Sequence, residues 1–388
     1  MNENRVGSVE LIEGVPKLQA TQIFAFQNDR GKDLTALEKI KAYLMQQVYS
    51  VSPSQQKSED EIRNLEGLFA DIYQRAERIK HYGEDQVLGH HCIAYLPAGS
   101  SSIEMVKSAL KQVDKPSRLD WICLFAINLK ESFLAMEEIE RLSLQNCSIA
   151  DCLLLSPASV IPLLLKLFRY TTGETEIKIE RINSICAHVE RVLFRLEYTN
   201  ADYRTDAFPS LARGYSGQYE DLTTRIRETA KRGFQTWWDF EGACREYFKG
   251  TYHYSSKIKY VLWKYENRLR ERKRMHPISP ADFQNKYGRE NLENTIDHIT
   301  PGKPSFTVYT DEFRQHWLHN IGNLTLMAWG DNSEKRNLNP VKEADMYDAT
   351  AFVSHKEIRD LLLERQQWGE NEIKTRRDAL PKSSPKAQ

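Results

Sequence analysis

Apolar residues recur at helical spacing over the first two-thirds of the chain. Leu37, Ile40, Leu44 and Val48 form one stripe, and Thr35 stands where its hydroxyl would cap the helix. Asn28-Asp29-Arg30-Gly31 reads as the turn before it, and Ser50 to Lys57 as a short polar linker after it. Ile62, Leu65, Phe69, Ile72, Tyr73, Ala76 and Ile79 then mark one face of a second helix that is charged elsewhere. Helical patterning continues to about Tyr265, broken at Tyr95 to Ser101, Val113 to Ser117, Thr171 to Gly173 and Tyr198 to Gly217. The clearest helices span Trp121 to Ile139, Leu153 to Tyr170 and Ile177 to Leu196. The most apolar run, Cys152 to Phe168, is interrupted by Ser156, Pro157, Pro162 and Lys166, which predicts a buried helix and no membrane span.

Near the C-terminal end the pattern changes. Two short apolar runs, Thr295-Ile-Asp-His-Ile-Thr-Pro301 and Ile321-Gly-Asn-Leu-Thr-Leu-Met327, lead into a polar stretch at Asp331-Asn332-Ser333 where a capped helix would start. Two short strands followed by a helix predict a small ββα metal-nuclease finger. The expected fold is mainly α: a helical bundle followed by a small α+β nuclease domain.

The chain has 388 residues, 40% hydrophobic and 28% charged, enough for two or three domains with real cores. Its formal net charge is +0, so any attraction to nucleic acid has to be local. One such region is Lys257 to Arg274. Ile258, Val261, Leu262, Tyr265 and Leu269 form its apolar stripe, while Lys257, Lys264, Arg268, Arg270, Arg272, Lys273 and Arg274 line the rest, offset only by Glu266 and Glu271. This helix is expected either to track a DNA phosphate backbone or to be a solvated charged face. The aromatic residues Phe234, Trp237, Trp238, Phe240, Tyr247, Phe248, Tyr252 and Tyr254 either stack on bases or join the bundle to the last domain. The six cysteines contain no Cys-x-x-Cys pair, which argues against a structural zinc or a disulfide framework and suits reduced thiols in the cytoplasm. Neither Glu-x-x-His nor His-x-x-x-His spacing occurs around His81, His90, His91, His188 or His253, so these read as surface or packed residues.

Phosphodiester hydrolysis needs an activated water, a cation facing the charge that develops on phosphorus-bound oxygen, and a stabilised leaving alkoxide. His298 suits proton removal, since neutral imidazole is available at cellular pH. Asp297 offers the hard oxygen that Mg²⁺ or Mn²⁺ prefers, and Asn332 offers a second oxygen at the helix start. Neighbouring residues on a regular strand point to opposite faces, so both Asp297 and His298 reach one site only if the strand ends there; Pro301 is consistent with that. Asn323 is expected to brace the loop that carries His298. Of the histidines in the intervening loop, His319 is the better candidate for a supporting role than His316; a structural role for both is the alternative.

These residues carry a family resemblance. Ile296-Asp-His-Ile-Thr-Pro301, Ile321-Gly-Asn-Leu-Thr-Leu326, Asn332, Asn337, Lys342, Tyr347 and Trp368-Gly-Glu-Asn-Glu-Ile373 with Arg376 or Arg377 resemble the HNH-type D half of GmrSD-type (type IV) restriction endonucleases. By that resemblance His298 is the general base, Asp297 the acidic metal ligand where the family often has Glu, Asn323 the middle Asn and Asn332 the helix ligand, with one Mg²⁺ or Mn²⁺ ion. Asn337 matches a recurring family Asn without an assigned role. The run Phe26 to Leu44 resembles the end of the ParB-like, nucleotide-handling S half. No Asp-Gly-Gln-Gln-Arg motif precedes it here.

The resemblance therefore divides the chain into a remnant of the S half (1–50), a helical connector (51–255) and an HNH-type nuclease domain (256–388). It implies a cytoplasmic DNA endonuclease that restricts foreign or modified DNA. The rival expectation is a non-catalytic subunit, binding nucleic acid or a partner, that needs a separate or upstream nucleotide-binding half.

Overall fold

A computed structural model describes residues 34–198, 207–232, 246–250, 256–287, 296–327 and 337–380. It is mainly helical, with one pair of short strands among the described residues. The turn expected at Asn28 to Gly31 lies outside them, as do Phe234, Trp237, Trp238, Phe240, Tyr252 and Tyr254.

The chain divides into two compact units, Met1–Glu137 and Glu138–Gln388. In the first, helices α1 (Ala36–Val51), α2 (Gln55–Ala76), α3 (Glu84–Tyr95) and α4 (Ser102–Lys111) pack together, and α5 (Arg118–Ser143) runs across the boundary. Thr35 caps α1 through a reciprocal capping box: its Oγ1 accepts the Glu38 N–H at 3.2 Å, and its own N–H donates to Glu38 Oε2 at 2.8 Å. Leu37, Ile40, Leu44 and Val48 are all buried. The polar linker shrinks to three residues, because both flanking helices extend into it and only Pro53 and its neighbours stay outside.

The second unit begins with α6 (Cys147–Leu155), α7 (Pro157–Tyr170), α8 (Thr175–Tyr198), α9 (Ala207–Gly214) and α10 (Tyr219–Arg232). The single helix expected from Leu153 to Tyr170 is two. Pro157 has no N–H to continue α6, yet its fixed φ suits the first turn of α7. The break expected from Tyr198 to Gly217 contains α9, whose Phe208, Leu211 and Ala212 are buried at helical spacing. No described helix is long and apolar enough to cross a membrane. The described cysteines are all free thiols.

Helix α11 (Ser256–Arg272) is the basic helix. Ile258, Val261, Leu262, Tyr265 and Leu269 are buried as the stripe requires, and so are Lys259 and Glu266 on its other flank. On one side it meets α6 and α8: Lys264 Nζ lies 2.8 Å from Asp151 Oδ2 and 3.0 Å from Glu190 Oε1, while Tyr260 Oη donates to Glu190 Oε1 at 2.6 Å. Burial lifts the Asp151 carboxyl to about 8 in spite of the adjacent ammonium. Burial also opposes the Lys264 charge, but Asp151 and Glu190 together outweigh it and raise that pKa. On its other side α11 holds α14 (Val353–Arg365). Helix α14 has no side-chain cap of its own; Glu266 accepts the N–H groups of Val353 and Ser354 at 2.9 and 2.8 Å. Tyr265 Oη adds a bond to Glu357 at 2.7 Å. This double attachment links α6 and α8 to α14 through α11, all within the second unit.

The remaining elements are α12 (Pro280–Tyr287), strand β1 (Ile296–His298), α13 (Asp311–His316), strand β2 (Leu324–Leu326) and α15 (Glu370–Ala379). Ile299, Met327, Ala344, Tyr347, Ile358, Leu362, Trp368 and Ile373 form one core, with Phe313 and Trp317 against it. The helix expected after β2 falls in residues 328–336, outside the described ones.

Candidate active site

Strands β1 and β2 are antiparallel, with Ile296 opposite Leu326, Asp297 opposite Thr325 and His298 opposite Leu324. Ile296, Leu324 and Leu326 are buried, which fixes the register, since a one-residue slip would turn them out of the core. The strand stops at His298. The next ladder bond runs from the Ile299 N–H to the Asn323 carbonyl at 2.8 Å, and the chain then bends at Ile299 and Thr300. His298 is buried and Asp297 half-buried.

The bend is held by the Asn323 side chain, which is fully buried. Its Oδ1 accepts the Thr300 N–H at 2.9 Å, and its Nδ2 donates to the carbonyls of Thr300 at 3.1 Å and Leu318 at 2.8 Å. One amide thus ties the backbone just after His298 to the backbone just before His319. The two imidazoles meet: His298 Nε2 lies 3.1 Å from His319 Nδ1, with ring centroids 5.0 Å apart and planes at 75°. Tyr309 Oη completes the loop, donating to the Pro301 carbonyl at 2.8 Å and lying 3.0 Å from Thr300 Oγ1, which donates to it.

Three supports escaped the sequence reading or were left without a role. Asn320 is buried; its Oδ1 accepts the Gly322 N–H at 3.0 Å, and its Nδ2 faces the carbonyls of Phe248, Lys249 and Gly250 at 3.3, 3.4 and 3.3 Å. Arg376, from α15, donates through Nη1 to the carbonyls of Ile321, Gly322 and Leu324, the turn that leads into β2. At Gly322 the last helix comes so close that an added Cβ would stand 2.0 Å from the Ile373 carbonyl oxygen, so no other residue fits. His355 braces β2 from α14: its Nε2–H donates to the Leu326 carbonyl at 2.7 Å, and its Nδ1 accepts from Thr350 Oγ1 at 2.7 Å. The Asn-Ile-Gly-Asn run is a sequence signal for Asn320; nothing local marks Arg376 or His355.

A match to the family model of the GmrSD restriction endonucleases, C-terminal domain, runs over residues 243–383 and contains every one of these groups. This segment is a GmrSD C-terminal domain. No curated protein matches the chain. The GmrSD domain starts within the segment expected to be connector, and its family is one of restriction endonucleases, so a nuclease-like domain is what this segment holds.

Within the GmrSD domain the structure joins His298, Asn323 and His319, with Asp297 adjacent on β1. Asn332 lies outside the described residues. Asn337 is exposed, and its carbonyl faces Ser305 Oγ at 3.4 Å. For a hard divalent cation the donor chemistry fits in Asp297, a half-buried carboxylate one residue before His298 on β1. Among the described residues no three His, Cys, Asp or Glu side chains converge.

The seven cations assigned to DNA separate into groups. Lys264 is committed to Asp151 and Glu190, and Arg270 to Glu266 at 2.7 Å and to the carbonyls of His276 and Ala351. These two hold the domain together. Arg268 pairs with Glu271 at 2.6 Å on the surface. Arg272, Lys273 and Arg274 are exposed at the end of the helix, and the Lys257 side chain lies outside the described residues.

Proposed function

We propose that the GmrSD domain is a metal-dependent, HNH-type DNA endonuclease that hydrolyses phosphodiester bonds, restricting foreign or modified DNA. The observation that carries this reading is His298 at the end of β1, one residue after Asp297, with the bend that follows it tied by Asn323 to the backbone before His319, inside a domain that matches the restriction-endonuclease family model. His298 takes a proton from the attacking water. Asp297, with Asn332, would hold one Mg²⁺ or Mn²⁺ ion, which when bound supplies positive charge to the phosphate oxygens and the leaving alkoxide. Asn323 fixes the loop so that the imidazole does not swing away during proton transfer. Arg272, Lys273 and Arg274 attract the backbone.

The test is plasmid cleavage by the full chain in Mg²⁺ or Mn²⁺, alongside His298→Ala. Loss of a general base is expected to lower the rate by about 10²- to 10⁴-fold, and excess EDTA to abolish cleavage. Equal cleavage by the variant, or cleavage surviving EDTA, would sink the reading. A wild-type chain that cuts only after a nucleotide-binding half and a nucleoside triphosphate are added would favour the subunit reading.

A further inference from the structure

The loop between Pro301 and Tyr309 leaves the candidate site and returns to it. Tyr309 Oη donates to the Pro301 carbonyl at 2.8 Å and lies 3.0 Å from Thr300 Oγ1, so the two ends of the excursion are held side by side, just past His298. The Tyr309 ring is seated against α13, its centroid 4.6 Å from that of Phe313 and 5.8 Å from the Arg314 guanidinium. A further tie joins the loop to the segment after the strands: the Ser305 N–H and Oγ face the Asn337 carbonyl at 3.5 and 3.4 Å.

What this framework presents to solvent is apolar. Val308 is 88% exposed, Phe306 38% and Leu338 39%. Single exposed apolar side chains are ordinary, but these are gathered: Phe306 follows Ser305 and Leu338 follows Asn337, the two residues through which the segments are tied. Over residues 302–310 the loop carries one cation, Lys303, and no carboxylate; Asp311 and Glu312 stand beyond Tyr309, in the opening turn of α13. The tip itself therefore does not repel a polyanion. Residues 302–308 go out and back, so they reach at most about 12 Å from their joined ends, and His298 is at most about 10 Å of chain from that point. For a duplex with a phosphate at His298, the tip thus lies within one helical turn, about 34 Å, of that phosphate.

We propose that residues 302–308 form a DNA-contacting tip of the candidate nuclease, in which Phe306 packs on a base and Val308 and Leu338 cover apolar groove surface beside it; this rests on the nuclease reading above. An aromatic face stacks on any base, and aliphatic side chains enter between base steps. Such contacts add affinity without releasing counterions, so they complement the cations at the end of α11 and are not screened by salt.

The experiment measures binding without turnover. Full-length protein is titrated into a fluorescein-labelled DNA duplex in excess EDTA across a salt series, with fluorescence anisotropy as the readout, and thermal unfolding of each variant is recorded alongside. Phe306→Ala is expected to weaken binding by about 5- to 100-fold, and adding Val308→Ser to weaken it further. The slope of log affinity against log salt and the unfolding temperature should both stay at their wild-type values. Phe306→Trp, which keeps a stacking face, should bind as tightly as the wild type. Equal affinity of the double variant and the wild type overturns the proposal, as does a wild type with no affinity for the duplex. So does weaker binding that comes with a lower unfolding temperature, which would make Phe306 structural. A wild type that sediments as a dimer, with a double variant that sediments as a monomer, also overturns it and gives the patch to a second copy of the chain. If the tip variants lose affinity as expected but the wild type cuts no DNA in Mg²⁺ or Mn²⁺, the nuclease reading fails and the DNA contact stands.

Discussion

Every polar hydrogen and the oxygen of the Asn323 amide are committed to backbone, and the side chain is fully buried. Asn323→Asp keeps the shape but removes the two donors, leaving the Thr300 and Leu318 carbonyls facing oxygen. We expect a loss of roughly 2–4 kcal/mol of stability, read by urea unfolding, and loss of cleavage even at temperatures where the fold survives. A variant as stable and active as the wild type would remove Asn323 from the architecture of the site. At this scale the sequence was informative where chemistry is local: Asp297-His298 and Gly322-Asn323 announce themselves by residue type and order. Arg376 does not, because a carbonyl cluster accepts from any cation that packing brings near, and this one arrives from fifty-odd residues away. His355 was invisible for the same reason, being an ordinary helical histidine until β2 lies against it.

Among the elements, α11 was read correctly as to its apolar stripe and incompletely as to its charges. A helical wheel shows which residues share a face but not which distant groups oppose them; the Asp151 partner of Lys264 lies 113 residues earlier. Cations that look like a phosphate-binding row are partly the fasteners of a domain interior. Lys264→Met should therefore cost most above about pH 8, roughly 3–5 kcal/mol, where Asp151 is ionised and is left buried with Glu190 without a cation. Adding Asp151→Asn should recover much of it, as the neutral amide needs no counter-charge. Thermal unfolding of the two variants checks this, and a harmless Lys264→Met would show that the cluster is solvated in solution. The strands were legible as two short apolar runs, whereas Pro157 was read as interrupting one helix where it separates two, and helix α9 lay in a segment read as a break.

For the whole molecule, a formal net charge of +0 gives no general attraction to a polyanion. On the proposed reading, DNA affinity would come from local exposed cations, and among the described side chains of α11 and its end these are Arg272, Lys273 and Arg274. Replacing all three with Ala is expected to lower the slope of log affinity against log salt by about 2–3 for duplex DNA, measured by fluorescence anisotropy across a salt series. An unchanged slope would place the DNA on another face. The compact unit that carries the site also includes helices α6 to α10, so its integrity depends on far more chain than the strands themselves. Arg376 and the Ile373 carbonyl that excludes a side chain at Gly322 both belong to α15, which the ribosome makes well after β2. A chain still being synthesised therefore displays both imidazoles before it has the clamp that sets the turn leading into β2, and the candidate site stays incomplete until translation has passed that helix.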